Sequence, residues 1–159
     1  MIKILKAELK DAEKLWEVQR EAFKKYAIKY GDFNSNPYHM SLHRMEFNVK
    51  YRFGQYYKVV LEETGEIIGG IFGFELDQPE IIKIAQFYLL EQYQSLGYGK
   101  IVLDFFIKSN PQVEKWYVDT ILQEEYNVEF YKHFGFEIID EEEEHEGLSF
   151  VTLLKRMDK

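Results

Sequence analysis

The sequence has no cysteine among its 159 residues. That excludes a disulfide framework, a thiolate nucleophile and a cysteine-ligated zinc site. Positive charge is in deficit: 20 lysines and arginines face 28 acidic residues, for a net charge of -8. Binding to nucleic acid or to an anionic membrane needs a basic face, so neither partner is expected. The same balance tolerates a cationic acceptor such as an amine or polyamine, although surface charge also serves simply to keep a protein soluble. No apolar run approaches the roughly 20 residues of a membrane span. The N-terminus alternates lysine with apolar residues (Met1-Ile-Lys-Ile-Leu-Lys6) and lacks a signal-peptide core. The expected location is the cytoplasm.

What is present is apolar and aromatic: 46% of the residues are hydrophobic and 17% are aromatic. A chain of this length and composition is expected to fold as one domain, residues 1–159, around a real core. Ile2 and Ile4 alternate with lysines and read as a short strand. Over residues 11–30, Ala12, Leu15, Trp16, Ala22, Phe23, Tyr26, Ala27 and Tyr30 recur at three- and four-residue steps, one face of an amphipathic helix ended by Gly31. Ser41 can cap a second helix bearing Leu42, Met45 and Val49, with Gly54 closing it. Two β-rich runs, 56–62 and 66–74, flank the turn Glu63-Thr64-Gly65. Gly69, Gly70 and Gly73 suggest a bulge or a close backbone approach in the second run.

A strand is expected over 81–90 and a helix through Ile101, Val102, Phe105 and Phe106, stopping at Asn110-Pro111. Residues 116–120 read as a short strand. Leu122, Tyr126, Phe130 and Phe134 mark a last helix, with Gly135 as its left-handed terminator. Residues 136–139 and 148–154 form a final strand pair around an acidic connection. The order β-α-α-β-β-β-α-β-α-β-β describes a mixed α/β fold of seven strands and four helices.

Between the fourth strand and the third helix lies Gln94-Ser95-Leu96-Gly97-Tyr98-Gly99-Lys100. Glycine lets a backbone turn tightly and leaves its amides unobstructed. The first amides of a helix lack intrahelical partners, and with the positive end of the helix dipole they suit a pyrophosphate. A P-loop would need Ser or Thr after the lysine, where Ile101 stands. A dinucleotide fold would need a third glycine and an earlier place in the chain. A glycine turn holding no ligand remains the competing reading.

The turn, preceded by Gln86-Phe-Tyr-Leu-Leu, resembles the Gln/Arg-x-x-Gly-x-Gly/Ala hallmark of the GNAT superfamily of N-acetyltransferases. Phe130-Tyr131-Lys-His-Phe-Gly135-Phe136 resembles that superfamily's second hallmark, in the expected order and separation. The resemblance covers the whole chain and implies a GNAT-type acyl-CoA N-acyltransferase fold. It further implies transfer of an acetyl group from acetyl-CoA to a primary amine by direct attack in a ternary complex. On this likeness, the backbone of Phe87, Tyr88 and Leu89 pairs with the pantetheine arm. Gln94, Ser95, Leu96, Gly97, Tyr98, Gly99 and Lys100 hold the pyrophosphate. Asn127 lies near the pantetheine or acetyl end, and Tyr131 approaches the thioester sulfur.

A tyrosine hydroxyl, with an ordinary pKa of ~10, suits protonation of the departing thiolate. An aromatic at helical spacing is also ordinary core. Many relatives carry asparagine where Glu124 stands. Histone-type members place a catalytic glutamate on the strand that here offers Lys83, Ala85 and Gln86, so the general base is unassigned, with Asp119 or a water chain as candidates. On the same likeness Phe33 and Tyr38 would line one wall of the acceptor pocket, the competing reading being loop aromatics packed on the core. The acceptor is a small amine, a polyamine or a peptide amine. Dimers are common in the superfamily, and the aromatic surplus leaves room for a homodimer interface.

His39 and His43 are four apart but have no third ligand, so no metal is expected. His133 lies inside the second motif and reads as exposed. The run Asp140-Glu-Glu-Glu-Glu-His-Glu146 reads as a solvated hairpin tip. The alternative of a different class is a catalytically degenerate domain that binds acyl-CoA as a sensor or partner module.

Overall fold

The computed structural model describes residues 1–32 and 36–157. Along them run β1 (Ile2–Lys6), α1 (Ala12–Tyr30), α2 (Leu42–Lys50), β2 (Gly54–Leu61), β3 (Ile67–Leu76) and β4 (Gln78–Leu89). There follow α3 (Tyr98–Lys108), β5 (Lys115–Ile121), α4 (Glu125–His133), β6 (Glu137–His145) and β7 (Leu148–Arg156). The strands form a seven-stranded mixed sheet in the order β1-β2-β3-β4-β5-β7-β6. This is the mixed α/β architecture of seven strands and four helices that the element order implies. The chain divides into two compact units. One holds Met1–Gly73 with Gln86–Pro111, and the other holds Phe74–Ala85 with the chain from Gln112 onward.

In the first unit β1 lies antiparallel to β2, from Ile2 opposite Leu61 to Lys6 opposite Tyr57. Adjacent residues of a strand point to opposite faces. Tyr56 is buried against the Phe72 ring, stacked at 5.2 Å, while Tyr57 meets Phe105 and Phe106 of α3 edge-on. The core of this unit is apolar: Leu15, Met45, Val59, Ile68, Ile71, Val102, Leu103 and Phe106 are wholly buried. Burial of each such side chain contributes on the order of 1.5–3 kcal/mol.

Helix α1 stops at Gly31, whose φ of 58° is a left-handed cap. Ser41 begins α2, its hydroxyl accepting the Arg44 N–H at 3.0 Å. The segment between the helices is tied back to α1. Trp16 Nε1 donates to the Met40 carbonyl at 2.7 Å, and Arg20 donates to the Tyr38 carbonyl at 3.0 Å. Gly54 does not close α2. That helix ends at Lys50, and Gly54 opens β2 where a Cβ would lie 2.7 Å from the Phe72 ring.

In the second unit the first half of β4 pairs in parallel with β5, from Ile81 opposite Lys115 to Ile84 opposite Val118. Strand β7 lies antiparallel to β5 and also to β6. Trp116, Phe136, Leu148 and Leu153 form the core. Helix α4 ends before Gly135, at φ 91°, and Lys155 donates from Nζ to the Phe134 carbonyl at 2.5 Å.

The acidic run departs from expectation. It is not a hairpin tip: most of it belongs to β6, and the turn itself is Glu146-Gly147, with Gly147 at φ 88°. Glutamate is a poor strand former, but strand preference depends on context. Strand β7, with Leu148, Val151, Leu153 and Leu154 buried, provides a fixed backbone to pair with. Every residue of β6 is exposed, so the carboxylates remain in water.

Candidate functional site

A short 3-10 turn (Glu91–Tyr93) leaves β4, and α3 opens at Tyr98 with Gly97 at its cap. Gly97 has φ 84° and Ser95 has φ 64°. Two left-handed residues within three positions reverse the backbone sharply. A Cβ at Gly97 would meet nothing within 4 Å. The backbone dihedral, not crowding, is therefore what calls for glycine there. The first helical hydrogen bond of α3 is Ile101 N–H to the Gly97 carbonyl, at 3.4 Å. The amides of Tyr98, Gly99 and Lys100 precede it and have no partner within the helix. Ser95, Leu96, Gly97 and Lys100 are exposed. The result is an outward-facing amide cluster backed by a helix dipole and one ammonium group, which can hold an anion.

The turn is anchored to the strand before it. Gln94 donates from Nε2 to the Leu89 carbonyl at 2.8 Å, and the Leu90 N–H donates to the Ile68 carbonyl at 2.9 Å. The motif glutamine thus joins residues 94–100 to residues 87–89 of β4. The ladder between β4 and β5 covers only Ile81–Ile84, while β4 itself continues to Leu89.

Tyr88 carries a feature that sequence reasoning missed. Its side chain is buried, and its hydroxyl lies 2.5 Å from that of Tyr56. Burial pushes both phenols well above the ordinary range; for Tyr56 the hydrogen bond partly offsets this, while for Tyr88 the neighbouring phenol adds to it. The glycines of β3 make the room. A Cβ on Gly70 would lie 2.7 Å from the Tyr88 hydroxyl, and one on Gly69 would overlap the Tyr88 carbonyl oxygen. The Phe23 ring of α1 packs at 6.0 Å from that of Tyr88. Phe87 is half-buried. The close approach read from Gly69 and Gly70 was the available signal; the identity of the hydroxyl partner was not.

In the second unit α4 carries Asn127 and Tyr131 four residues apart, on one face of the helix. Asn127 is half-buried and Tyr131 is buried, its ring edge-on to Phe130 and Phe136 at 5.3 and 5.5 Å. Burial raises the Tyr131 hydroxyl well above the usual phenol range. Asp119 is engaged on both oxygens. Lys83 Nζ stands 2.7 Å from one, and Thr152 Oγ1 donates to the other at 2.7 Å.

Among the remaining expected residues, Tyr38 lies on a 3-10 turn (Pro37–His39), with the Arg20 guanidinium 4.5 Å from its ring centre. Phe33 falls outside the described residues. His39, His43 and His133 are exposed. Among the described residues no three histidine or acidic side chains come together as a metal-binding group. Among the described residues no helix is long and apolar enough to cross a membrane.

Residues 36–157 match the family model described as an acetyltransferase (GNAT) domain. No curated protein matches the sequence. Among solved structures, the chain resembles a ribosomal-protein alanine N-acetyltransferase from Escherichia coli. The TM-score is 0.81 at 11% identity, over 100% of this chain and 96% of that one. It also resembles a spermidine N-acetyltransferase chimera from Vibrio cholerae, with a TM-score of 0.76 at 14% identity over 98% and 95% of the two chains. A GNAT family acetyltransferase from Elizabethkingia anophelis with acetyl-CoA bound matches with a TM-score of 0.59 at 18% identity, over 74% and 84%. At these identities the structural likenesses speak to the fold.

Proposed function

The chain belongs to the GNAT acetyltransferase family, and on that footing we propose that it moves an acetyl group from acetyl-CoA to a primary amine within a ternary complex. The observation that carries this reading is the turn at residues 94–100, where left-handed Ser95 and Gly97 aim the opening amides of α3 outward. Those amides, with Lys100, would hold the pyrophosphate. The backbone of Phe87, Tyr88 and Leu89 would pair with the pantetheine arm, a role supported by the β4–β5 ladder ending at Ile84.

Acetyl-CoA supplies an activated acyl group and a thiolate leaving group. Tyr131 would give its hydroxyl proton to that sulfur as the C–S bond breaks, and because burial disfavours the tyrosinate left behind, it does so as a weaker acid than an ordinary phenol. Asn127, on the same face of α4, would contact the pantetheine or acetyl end. The attacking amine must shed a proton as well. Asp119 would first have to leave the Lys83 ammonium to take it, so we assign that proton to water. We take residues 1–159 as one N-acetyltransferase domain. The acceptor class is an amine, small, polyamine or peptide. Tyr38 lines its pocket in this scheme.

Calorimetry with acetyl-CoA, using ATP and NAD as controls, tests the cosubstrate. Selective binding of acetyl-CoA is expected, and Gly97→Glu should abolish it by placing charge and bulk in the anion site. Equal affinity in that variant would remove the turn from the site. Tyr131→Phe should leave acetyl-CoA affinity in place and lower kcat by about 10²- to 10⁴-fold, the range for a positioned acid. Undiminished kcat would return Tyr131 to the core. Acetyl-CoA binding without transfer to any amine would favour the sensor reading.

A further inference from the structure

Helix α2 and the turn into β2 carry an exposed strip in which three aromatic rings in contact are flanked by two arginines. The Arg44 guanidinium sits 5.0 Å from the Phe47 ring centre, and Phe47 stacks on Tyr51 at 5.4 Å. Tyr51 meets Phe53 edge-on at 6.0 Å, and Arg52 lies 5.1 Å from the Phe53 ring. Phe47 and Phe53 remain 47% and 46% exposed. Neither guanidinium forms an ion pair with a carboxylate among the described residues, and Lys50 adds a third cation nearby. This is a cationic, apolar surface on a protein whose net charge is -8. Such a patch marks an interaction site more often than an inert surface.

The complementary surface is β6. It is the last strand in the sheet order, so one row of its backbone groups has no strand beside it. Glu137, Asp140, Glu141, Glu142, Glu143 and Glu144 line it without an intervening lysine or arginine. Between them Ile138 and Ile139 are 39% and 49% exposed. Each surface is unfavourable alone: the strip leaves aromatic rings in water, and the strand sets like charges side by side. Each carries what the other lacks.

We propose that the Arg44–Phe53 strip of one copy docks on strand β6 of a second copy, the arginines facing the carboxylates and the aromatic rings covering the two isoleucines. A reciprocal contact, in which each copy gives its strip and its strand once, closes at two molecules. At longer range the net charge of -8 repels a nucleic acid and a second copy alike, so the attraction has to be local to the two matched surfaces. Attraction between charges of this kind weakens as salt shortens the Debye length from about 10 Å at 0.1 M to about 3 Å at 1 M.

Sedimentation velocity on the whole protein tests this. The wild type should move from the 19.1 kDa monomer to twice that mass as concentration rises, and added salt should reverse the shift. Arg44→Glu with Arg52→Glu leaves both surfaces acidic. Glu141→Lys with Glu143→Lys, two positions on one face between the irregularities of β6, turns that face of the strand basic beside the basic strip. Each double variant alone should associate at least about tenfold more weakly than wild type. Mixed together, their opposite surfaces match in both contacts, and a heterodimer should form. All four positions are exposed, and circular dichroism would verify that both variants fold. A wild type that stays monomeric, variants that associate as well as wild type, or a mixture that stays apart would each overturn the proposal.

Discussion

The hydroxyls of Tyr56 and Tyr88 meet in a part of the first unit almost closed to solvent, and each supplies the other's hydrogen bond. Deleting one oxygen strands the other, and an orphaned buried hydroxyl costs about 1–3 kcal/mol. Tyr56→Phe and Tyr88→Phe should each lower stability in urea by about that much. The double variant should lose less than the sum, because it leaves no orphan. Simple addition of the two losses would show that the hydroxyls act independently. Little of this was legible in the sequence, since the partners are 32 positions apart and strand alternation reveals only which face a residue occupies. Gly97 was legible for the opposite reason. Its left-handed dihedral is a local demand that only glycine meets cheaply, so it appears in the sequence as itself. The engagement of Asp119 by Lys83 and Thr152 joins three separate strands, and no spacing in the sequence announces it.

Elements were readable where their ends are locally encoded. Ser41, Gly31 and Gly135 each stand at the helix terminus expected of them. The start of β6 was read as a strand, but its acidic continuation over 140–145 was unreadable because the partner strand, not its own residues, extends it. Gly54 misled for a related reason, being glycine on account of the Phe72 ring and not of a helix end. The close approach of β3 to β4 was visible as Gly69-Gly70, and it supports a sharper expectation. A methyl group on Gly69 would press on the Tyr88 carbonyl, which belongs to backbone and cannot rotate away. Gly69→Ala should therefore destabilise the protein by about 1–3 kcal/mol, the range for overpacking. It should also weaken acetyl-CoA binding, because β4 must shift. A variant with wild-type melting and wild-type affinity would mean that the two strands part without cost.

For the molecule as a whole, buried phenols set an alkaline limit. Tyr56, Tyr88 and Tyr131 all hold their protons more tightly when folded than an ordinary phenol does. Below pH ~10 both the folded and unfolded chains are protonated at these sites, and nothing changes. Above it the unfolded chain releases protons that the folded chain keeps. Stability then falls, by up to about 1.4 kcal/mol per pH unit for each such tyrosine. Urea unfolding between about pH 8 and about pH 11 should show this decline, and Tyr131→Phe should flatten it. An unchanged slope would mean that Tyr131 ionises as readily folded as unfolded.

The bond from Gln94 to the Leu89 carbonyl has a different kind of consequence. Ser95 and Gly97 are left-handed and Gln94 ties the turn to β4, so the entropy of shaping the anion cradle is expected to be spent during folding. A ligand entering it meets a rigid template and loses little affinity to ordering. Gln94→Ala, by freeing the loop, should therefore slow no encounter but shorten the lifetime of the complex, an effect read in the dissociation rate of acetyl-CoA.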